Sequence, residues 1–391
     1  MSLPNVSIRV NNKGLGLLPA LADGVSAMLI ITNATGLSNT LFTGVKLYTS
    51  ESYGADFNEA YDTANNEQVY FHLHQYFAQA GANAQLYVGY AVLAATNPQL
   101  VVKAKEILDF AQGEVRLLGI AFNKATPGIF NLNTVLGVFA DEVVKPIRQY
   151  SEAGFTPLSI LVEGYGIGSV DANVTGAANL RGFSYGYMSV VVGTSYEGRP
   201  HVANVGQVLG WLATMPVQRN IGRVKSGAPT SSPIRVAGAV VSVQSAYADG
   251  LNTKGYISYR KYAGKQGYYF IDDPTATPAT EDLSSIARNR IIDKATRIAY
   301  AVFVEEIQDE IEVNPTSGRM EAAKARYFEQ IISNAINAAM TDNGEINSIE
   351  TEIDLTQNII VTNKVCVKLR LIPDAYAKNI EIDLGFKNPF I

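Results

Sequence analysis

Residues 25–32 read Val-Ser-Ala-Met-Leu-Ile-Ile-Thr, an uncharged run with consecutive apolar side chains from Ala27 to Ile31. An unbroken apolar run this short fits a strand buried on both faces, not a half-solvated one. The same reading holds for 85–92 (QLYVGYAV), 115–122 (VRLLGIAF), 157–163 (PLSILVE) and 189–194 (SVVVGT). Helical segments lie between them at 66–80, 98–112, 132–152 and 202–214. In the second of these Leu100, Ala104, Ile107 and Leu108 form an apolar stripe, and in the third Val135, Val138, Phe139 and Val143 do. Apolar strands alternating with helices predict a mostly parallel or mixed sheet covered on both faces. Residues 25–240 are therefore expected to form an α/β domain.

A different pattern begins near 235. Strand-like segments at 236–244 and 256–271, the latter with Gly264 to Gly267 as its turn, precede two long helices. The first follows Thr280, Glu281 and Asp282 as N-cap candidates and carries Ala287, Ile291, Ala295, Ile298 and Val302. The second runs from about Arg319 to Thr341 with Phe328, Ile332, Ala335 and Ala339, and stops at Asn343-Gly344. Segment 361–369 then alternates, with Val361, Val365, Val367 and Leu369 against Thr362, Lys364, Cys366 and Lys368. This predicts an α+β domain over 241–377.

Both chain ends alternate as well. Val6, Ile8 and Val10 share one face of Pro4–Val10, and Ile380, Ile382, Leu384 and Phe386 share one face near the other end. We read 1–24 and 378–391 as extended arms. A lone amphipathic strand exposes an apolar face and an unpaired edge, so something must cover each. Either the strand completes a sheet in its own subunit or it is donated to a neighbour, and the alternation leaves both open.

The chain of 391 residues has length for two or three domains at roughly 150 residues each. A single cysteine, Cys366, excludes an intrachain disulfide and any cysteine-based metal cluster within one chain, and fits a reducing compartment. The net charge of −5 argues against a general affinity for nucleic acid or anionic membrane. Charged residues make up 17%, against roughly 25% in an average soluble protein. The 21 tyrosines and many small polar groups in their place resemble a surface that other protein covers. No apolar run reaches the roughly 18 residues of a membrane span, and MSLPNVSIRVNN lacks the core of a signal peptide, so synthesis and folding are expected in the cytoplasm.

Motifs for chemistry are sparse. His72 and His74 lie two apart in a predicted helix and so project to different faces, whereas helical metal pairs sit three or four apart. His201, after Arg199-Pro200, belongs to no recognisable metal or catalytic motif in the sequence. Gly164-Tyr165-Gly166-Ile167-Gly168 follows a good strand as a nucleotide loop should, but no clear helix follows and the third glycine is misplaced for a dinucleotide fingerprint. It reads as a glycine-rich turn, with the strand-end cleft of an α/β enzyme as the alternative. Glu305, Glu306, Asp309, Glu310 and Glu312 crowd a helix end as a solvated or partner-facing patch. Arg290, Lys294 and Arg297, spaced four and three, make a basic stripe on the preceding helix. No catalytic residue, metal or cofactor is expected.

Val69-Tyr70-Phe71 through Ala80-Gly81-Ala82, leading into Gln85-Leu86-Tyr87-Val88-Gly89, resembles the helix and central strand of contractile tail sheath proteins. The order beyond 240 is also similar to the sheath C-terminal domain of phages, R-type bacteriocins and related injection systems. It runs from Tyr268-Tyr269-Phe270-Ile271 through the helix Ile286 to Asp293, past Asn343-Gly344 and Ile353 to Asn358, to the ending Pro373 to Ile382. Ile271 to Thr275 stands where sheath proteins commonly carry a Trp-Gly-x-Arg-Thr motif.

The resemblance implies an outward α/β domain with a subtilisin-like sheet, an inner α+β domain against a tail tube, and arms that pair into neighbouring subunits. It implies a structural role, not an enzyme. Subunits would polymerise helically, as stacked hexameric rings, around a tube that contraction drives through a cell envelope. The implied partners are the chain itself, the tail tube protein, and baseplate and tail terminator proteins, with no nucleic acid and no membrane insertion. The implied location is the tail of a virion or injection particle assembled in the bacterial cytoplasm. Arg290, Lys294 and Arg297 with Glu305, Glu306, Asp309 and Glu310 are then candidates for contacts to the tube or a neighbour. A non-contractile tail or baseplate protein is a further alternative. Both arms in one chain set it apart from the split type VI secretion sheath.

Overall fold

The strand β1 (Ser26–Thr32) is buried along its whole length, as its unbroken apolar run requires. The computed structural model describes residues 23–32, 40–122, 135–164, 176–199 and 201–387. After β1 come β2 (Val45–Thr49), the short helices α1 (Tyr53–Asp56) and α2 (Glu59–Asn65), α3 (Val69–Ala80) and β3 (Gln85–Val92). Next are α4 (Asn97–Phe110), β4 (Leu117–Phe122), α5 (Val135–Phe139), a π-helical stretch Ala140–Val144, α6 (Lys145–Ala153), β5 (Ser159–Glu163), β6 (Met188–Val191) and α7 (Val205–Thr214).

The six strands form one sheet in the order β2-β3-β1-β4-β5-β6. All neighbours are parallel except β2, which runs antiparallel along the β3 edge. Met28 is level with Gly119, which faces Val205 and Leu209 of α7; Leu29 is level with Gly89, which faces Ile107 of α4. Successive residues point to opposite faces, so helices cover both sides of the sheet. Local sequence fixes where helices start. Thr96 and Gln99 form a capping box at α4, and Asn58 accepts the Tyr61 N–H at α2. On α7, Gly206 and Gly210 sit one turn apart, where a Cβ would overlap the carbonyl oxygens of His72 and Tyr76 on α3. Glycine is what permits that close crossing.

The chain divides into two units, Met1–Asn289 and Arg290–Ile391. The sequence placed a change of pattern near 240; residues 241–289 nonetheless join the first unit. After the short strands β7 (Arg235–Val236) and β8 (Ala239–Val240), they contribute α8 (Ala246–Thr253), β9 (Tyr259–Arg260) and β10 (Tyr269–Phe270). The reason is aromatic packing. Tyr256, Tyr259 and Phe270 are buried in the core, the Phe270 ring lies 6.4 Å from Trp211 of α7, and the Tyr259 hydroxyl donates to Gln207 Oε1 at 2.6 Å. The strand expected over 236–244 is reduced to the short β7–β8 pair.

The helix α9 (Ile286–Phe303) contains the division in its first turn. The second unit continues with α10 (Ala322–Ile336), a π-helical stretch Asn337–Thr341, β11 (Ser348–Ile353), α11 (Ile359–Thr362) and β12 (Val367–Ile372). β11 and β12 pair antiparallel, from Ser348↔Ile372 to Ile353↔Val367. A small core of Met320, Ala325, Phe328 and Ile353 forms here. The alternation expected over 361–369 breaks at its start, because Asn358 accepts the Val361 N–H and begins a helical turn that Asn363 ends in the left-handed region. The strand therefore begins only at Val367. No helix among the described residues is long and apolar enough to cross a membrane.

Candidate functional site

Beyond β12, residues 373–387 form neither helix nor strand. Within them Ile380, Ile382, Leu384 and Phe386 are 79, 81, 91 and 110% exposed. The alternation read from the sequence is thus an apolar face left exposed among the described residues. Val6, Ile8 and Val10 lie outside the described residues.

The sheet of β11 and β12 is the nearest feature in sequence. Its inner face is made by Ile349, Thr351 and Ile353 with Val367, Leu369 and Leu371, which alternate with exposed Glu350, Glu352, Lys368 and Arg370. α10 packs on that face, with Ser333 and Thr351 hydroxyls 2.8 Å apart and the Ile353 N–H donating to Glu329 Oε1 at 2.9 Å. Among the described residues the sheet has two strands, so each offers one outer edge with unsatisfied backbone groups. A groove of about 810 Å³ opens in the same unit, walled by Phe303, Ile307, Ile311, Phe328, Ile360 and Val365. Ile307, Ile360 and Val361 are 63, 63 and 75% exposed. An unfilled apolar groove beside a two-stranded sheet suits an added strand.

The two charge patches separate. Glu305, Asp309 and Glu310 are exposed and Glu306 is half-buried. Lys324 Nζ lies 3.4 Å from Glu306 and 3.2 Å from Asp309, and Tyr327 donates to Glu306 Oε1 at 2.8 Å. Arg290, Lys294 and Arg297, expected as a partner-facing stripe, are instead buried at 4, 6 and 6% exposure. Lys294 pairs with Glu345 at 2.7 Å. Each basic residue precedes one of the apolar positions Ile291, Ala295 and Ile298, so the interior sector of α9 takes in both sets. Ile292 takes the exposed side, at 42%.

Further candidates resolve individually. His72 is buried, whereas His74 is exposed, 3.1 Å from the Tyr53 hydroxyl. Of the glycine-rich segment only Gly164 lies within the described residues. Cys366 is exposed, and its N–H donates to Gln357 Oε1 at 2.7 Å. Among the described residues no group of three His, Cys, Asp or Glu is placed to hold a metal ion.

One pair was missed. Glu163, the last residue of β5, is fully buried with His72 Nε2 3.6 Å from its Oε2. The signal was an acid closing an otherwise apolar strand, PLSILVE.

Comparison with known proteins adds the following. Residues 3–274 match the N-terminal domain of the DUF2586 family and residues 282–391 its C-terminal domain. No curated protein matches. The structure is similar to the helical sheath of the anti-feeding prophage in its contracted state, with TM-score 0.62 and 15% identity over 99% of this chain and 100% of that chain. It is similar to a chain of the anti-feeding prophage baseplate, with TM-score 0.57 and 15% identity over 99% and 100%. The sheath complex of an extracellular contractile injection system, PVC, in its contracted state gives TM-score 0.56 and 13% identity over 99% and 98%. These likenesses show a shared fold.

Proposed function

We propose that this chain, which belongs to the DUF2586 family, is the structural subunit of a contractile sheath that polymerises helically around a tail tube and contracts to drive it through a cell envelope. The observation that carries the reading is the arm at 378–387, whose apolar face is uncovered in a chain with a sheath fold along its full length. In the assembly the arm adds to a neighbouring subunit's sheet, giving backbone hydrogen bonds while Ile380, Ile382, Leu384 and Phe386 fill alternate pockets. Residues 4–10, with Val6, Ile8 and Val10, serve the other neighbour. Rigid units joined by such arms turn as bodies during contraction while the mesh stays connected.

The α/β unit is assigned outward, and the second unit to the tube side. The exposed acids Glu305, Asp309 and Glu310 are then available to the tube or a neighbour, as weak, screened contacts that break on contraction. Partners are the chain itself, a tube protein, and baseplate and terminator proteins. The place of action is the tail of a virion or injection particle, assembled in the bacterial cytoplasm. The role calls for no catalysis or cofactor.

Negative-stain microscopy of the full chain, expressed with and without its tube protein, tests this. Long hollow striated tubes are expected, and deletion of 378–391 should leave folded subunits that no longer polymerise. A monomer unaffected by concentration and by the tube protein overturns the reading. Unfolding on deletion would place the arm in its own subunit's core.

A further inference from the structure

An acid and an imidazole sit sealed together inside the α/β unit, at the C-terminal ends of parallel strands. Glu163 Oε2 accepts the Phe122 N–H from the end of β4 at 2.6 Å, and Oε1 accepts the Ala203 N–H just before α7 at 2.8 Å. His72, on α3, faces the same carboxyl at 3.6 Å, and neither of its ring nitrogens has a hydrogen-bond partner. Both side chains are fully buried. One carboxyl therefore ties together β4, β5 and the start of α7, and the His72 ring of α3 is packed against it without a hydrogen bond.

Among the described residues, no countercharge comes from the strands and helices packed around the pair. β1, β3, β4, β6 and α7 contain no charged residue, β5 contains only Glu163, and the other histidine of α3, His74, is exposed and directed at Tyr53. Among the described residues, charged groups at the N-terminal end of α3 are engaged there. Asp62 accepts the Tyr70 and Phe71 N–H groups, and Arg199 donates to the Glu67 carbonyl. A lone charge sealed in apolar surroundings is far costlier than a neutral pair.

We propose that Glu163 and His72 form a one-proton latch, in which the folded subunit holds a single proton on the Glu163 carboxyl beside a neutral imidazole, and that alkaline solution removes the proton and loosens the strand ends. Burial pushes Glu163 up from its ordinary 4.5 to about 8 and His72 down from 6.5 to about 3. Between pH 4.5 and 6.5 the folded pair holds one proton on Glu163 and the unfolded chain one on the histidine, so the pair contributes no slope. From 6.5 to 8 the unfolded chain holds none and the folded pair one. Stability then falls tenfold in the unfolding constant per pH unit, about thirtyfold over that window. From 4.5 down to 3 the unfolded chain holds two, and stability falls with acid. The latch thus predicts a plateau between pH 4.5 and 6.5 with losses on either side.

The test is urea unfolding of the full-length, unassembled chain from pH 3.5 to 8.5, for wild type, Glu163→Gln and His72→Gln. Relative to wild type, Glu163→Gln should lack the thirtyfold alkaline loss. His72→Gln should keep that loss but start it near pH 4.5, because the compensating histidine is gone. Curves for wild type and Glu163→Gln that run parallel from pH 6.5 to 8.5 overturn the latch. If either variant fails to fold, infrared spectroscopy of the wild type decides. A buried carboxylic-acid band at pH 6.5 that disappears near pH 8 supports the latch, and its absence at pH 6.5 overturns it. The latch does not rest on the assembly reading, and these measurements need no sheath.

Discussion

β1 and β12 are both strands with several aliphatic side chains, yet they are finished to different degrees. Every residue of β1 is buried, with a parallel partner on each side and helices over both faces. Among the described residues β12 has one partner, and its residues alternate between half-buried and exposed. The same contrast separates the two units. The first encloses a large core running from Ala27 to Ile286; the second buries Ile332, Ile336, Met340 and Ile346, gathers a small cluster around Met320, Ala325, Phe328 and Ile353, and among the described residues leaves a groove and an apolar arm uncovered. A unit that satisfies its own hydrogen bonds and apolar surface needs no neighbour; one that does not is completed by association. Under the proposed sheath role, that division would place rigidity in one unit and bonding capacity in the other.

The largest way to break this comparison is to undo the close crossing inside the finished unit. Gly206→Leu would drive its side chain into the His72 carbonyl, which the α3 backbone cannot yield without moving. We expect a loss of about 3 kcal/mol or more, with α3 and α7 splayed, as overpacking at backbone contacts gives. Urea unfolding and near-UV circular dichroism measure it. A cost under about 1 kcal/mol would show that the crossing is looser than its geometry.

A matched pair of truncations sharpens the contrast. Ile120 in β4 and Ile353 in β11 are both buried, at 0 and 6% exposure. Ile120→Ala lies between layers that cannot close around the gap, so about 3 kcal/mol is expected; Ile353→Ala lies in a small core with room to relax, so about 2 kcal/mol is expected. Assembly should recover part of the second loss and none of the first, which unfolding of monomer and of polymer compares directly. Equal costs would mean that the second unit is as tightly finished as the first.

How far sequence carried this contrast depends on the range of the interactions. β1 and β3 were legible almost to the residue, because a fully buried strand needs only its own apolar run. The arm at 380–386 was legible by alternation, and the structure leaves that face exposed. The burial of Lys294 was not legible, because its partner Glu345 is 51 positions away and α9 alone reads as amphipathic with a basic edge. The joining of 241–289 to the first unit rests on Tyr259 and Phe270 meeting Gln207 and Trp211, again across distant sequence. β2 and β11 are short and mixed in character, and only pairing identifies them. Glu163 and His72 lie ninety-one positions apart by their numbering, and neither segment alone suggests that they meet.

The smallest test concerns whether local electrostatics substitutes for missing core in the second unit. Lys324 lies between Glu306 and Asp309, with side-chain exposures of 23, 17 and 54%, and its ammonium sits 4.8 and 4.9 Å from the Tyr327 and Phe328 ring centres. Two effects overlap there. The ion pairs are partly solvated and screened by salt, while the ring contacts depend on the methylene stem and on the charge lying over the aromatic faces. Lys324→Met keeps the stem and removes the charge, so about 0.5–1 kcal/mol should be lost in low salt and less than half of that in 1 M salt. A loss that persists undiminished in 1 M salt assigns the contribution to the rings. A loss that vanishes assigns it to the carboxylates, and makes that acidic corner as sensitive to ionic strength as the weak contacts proposed for the tube.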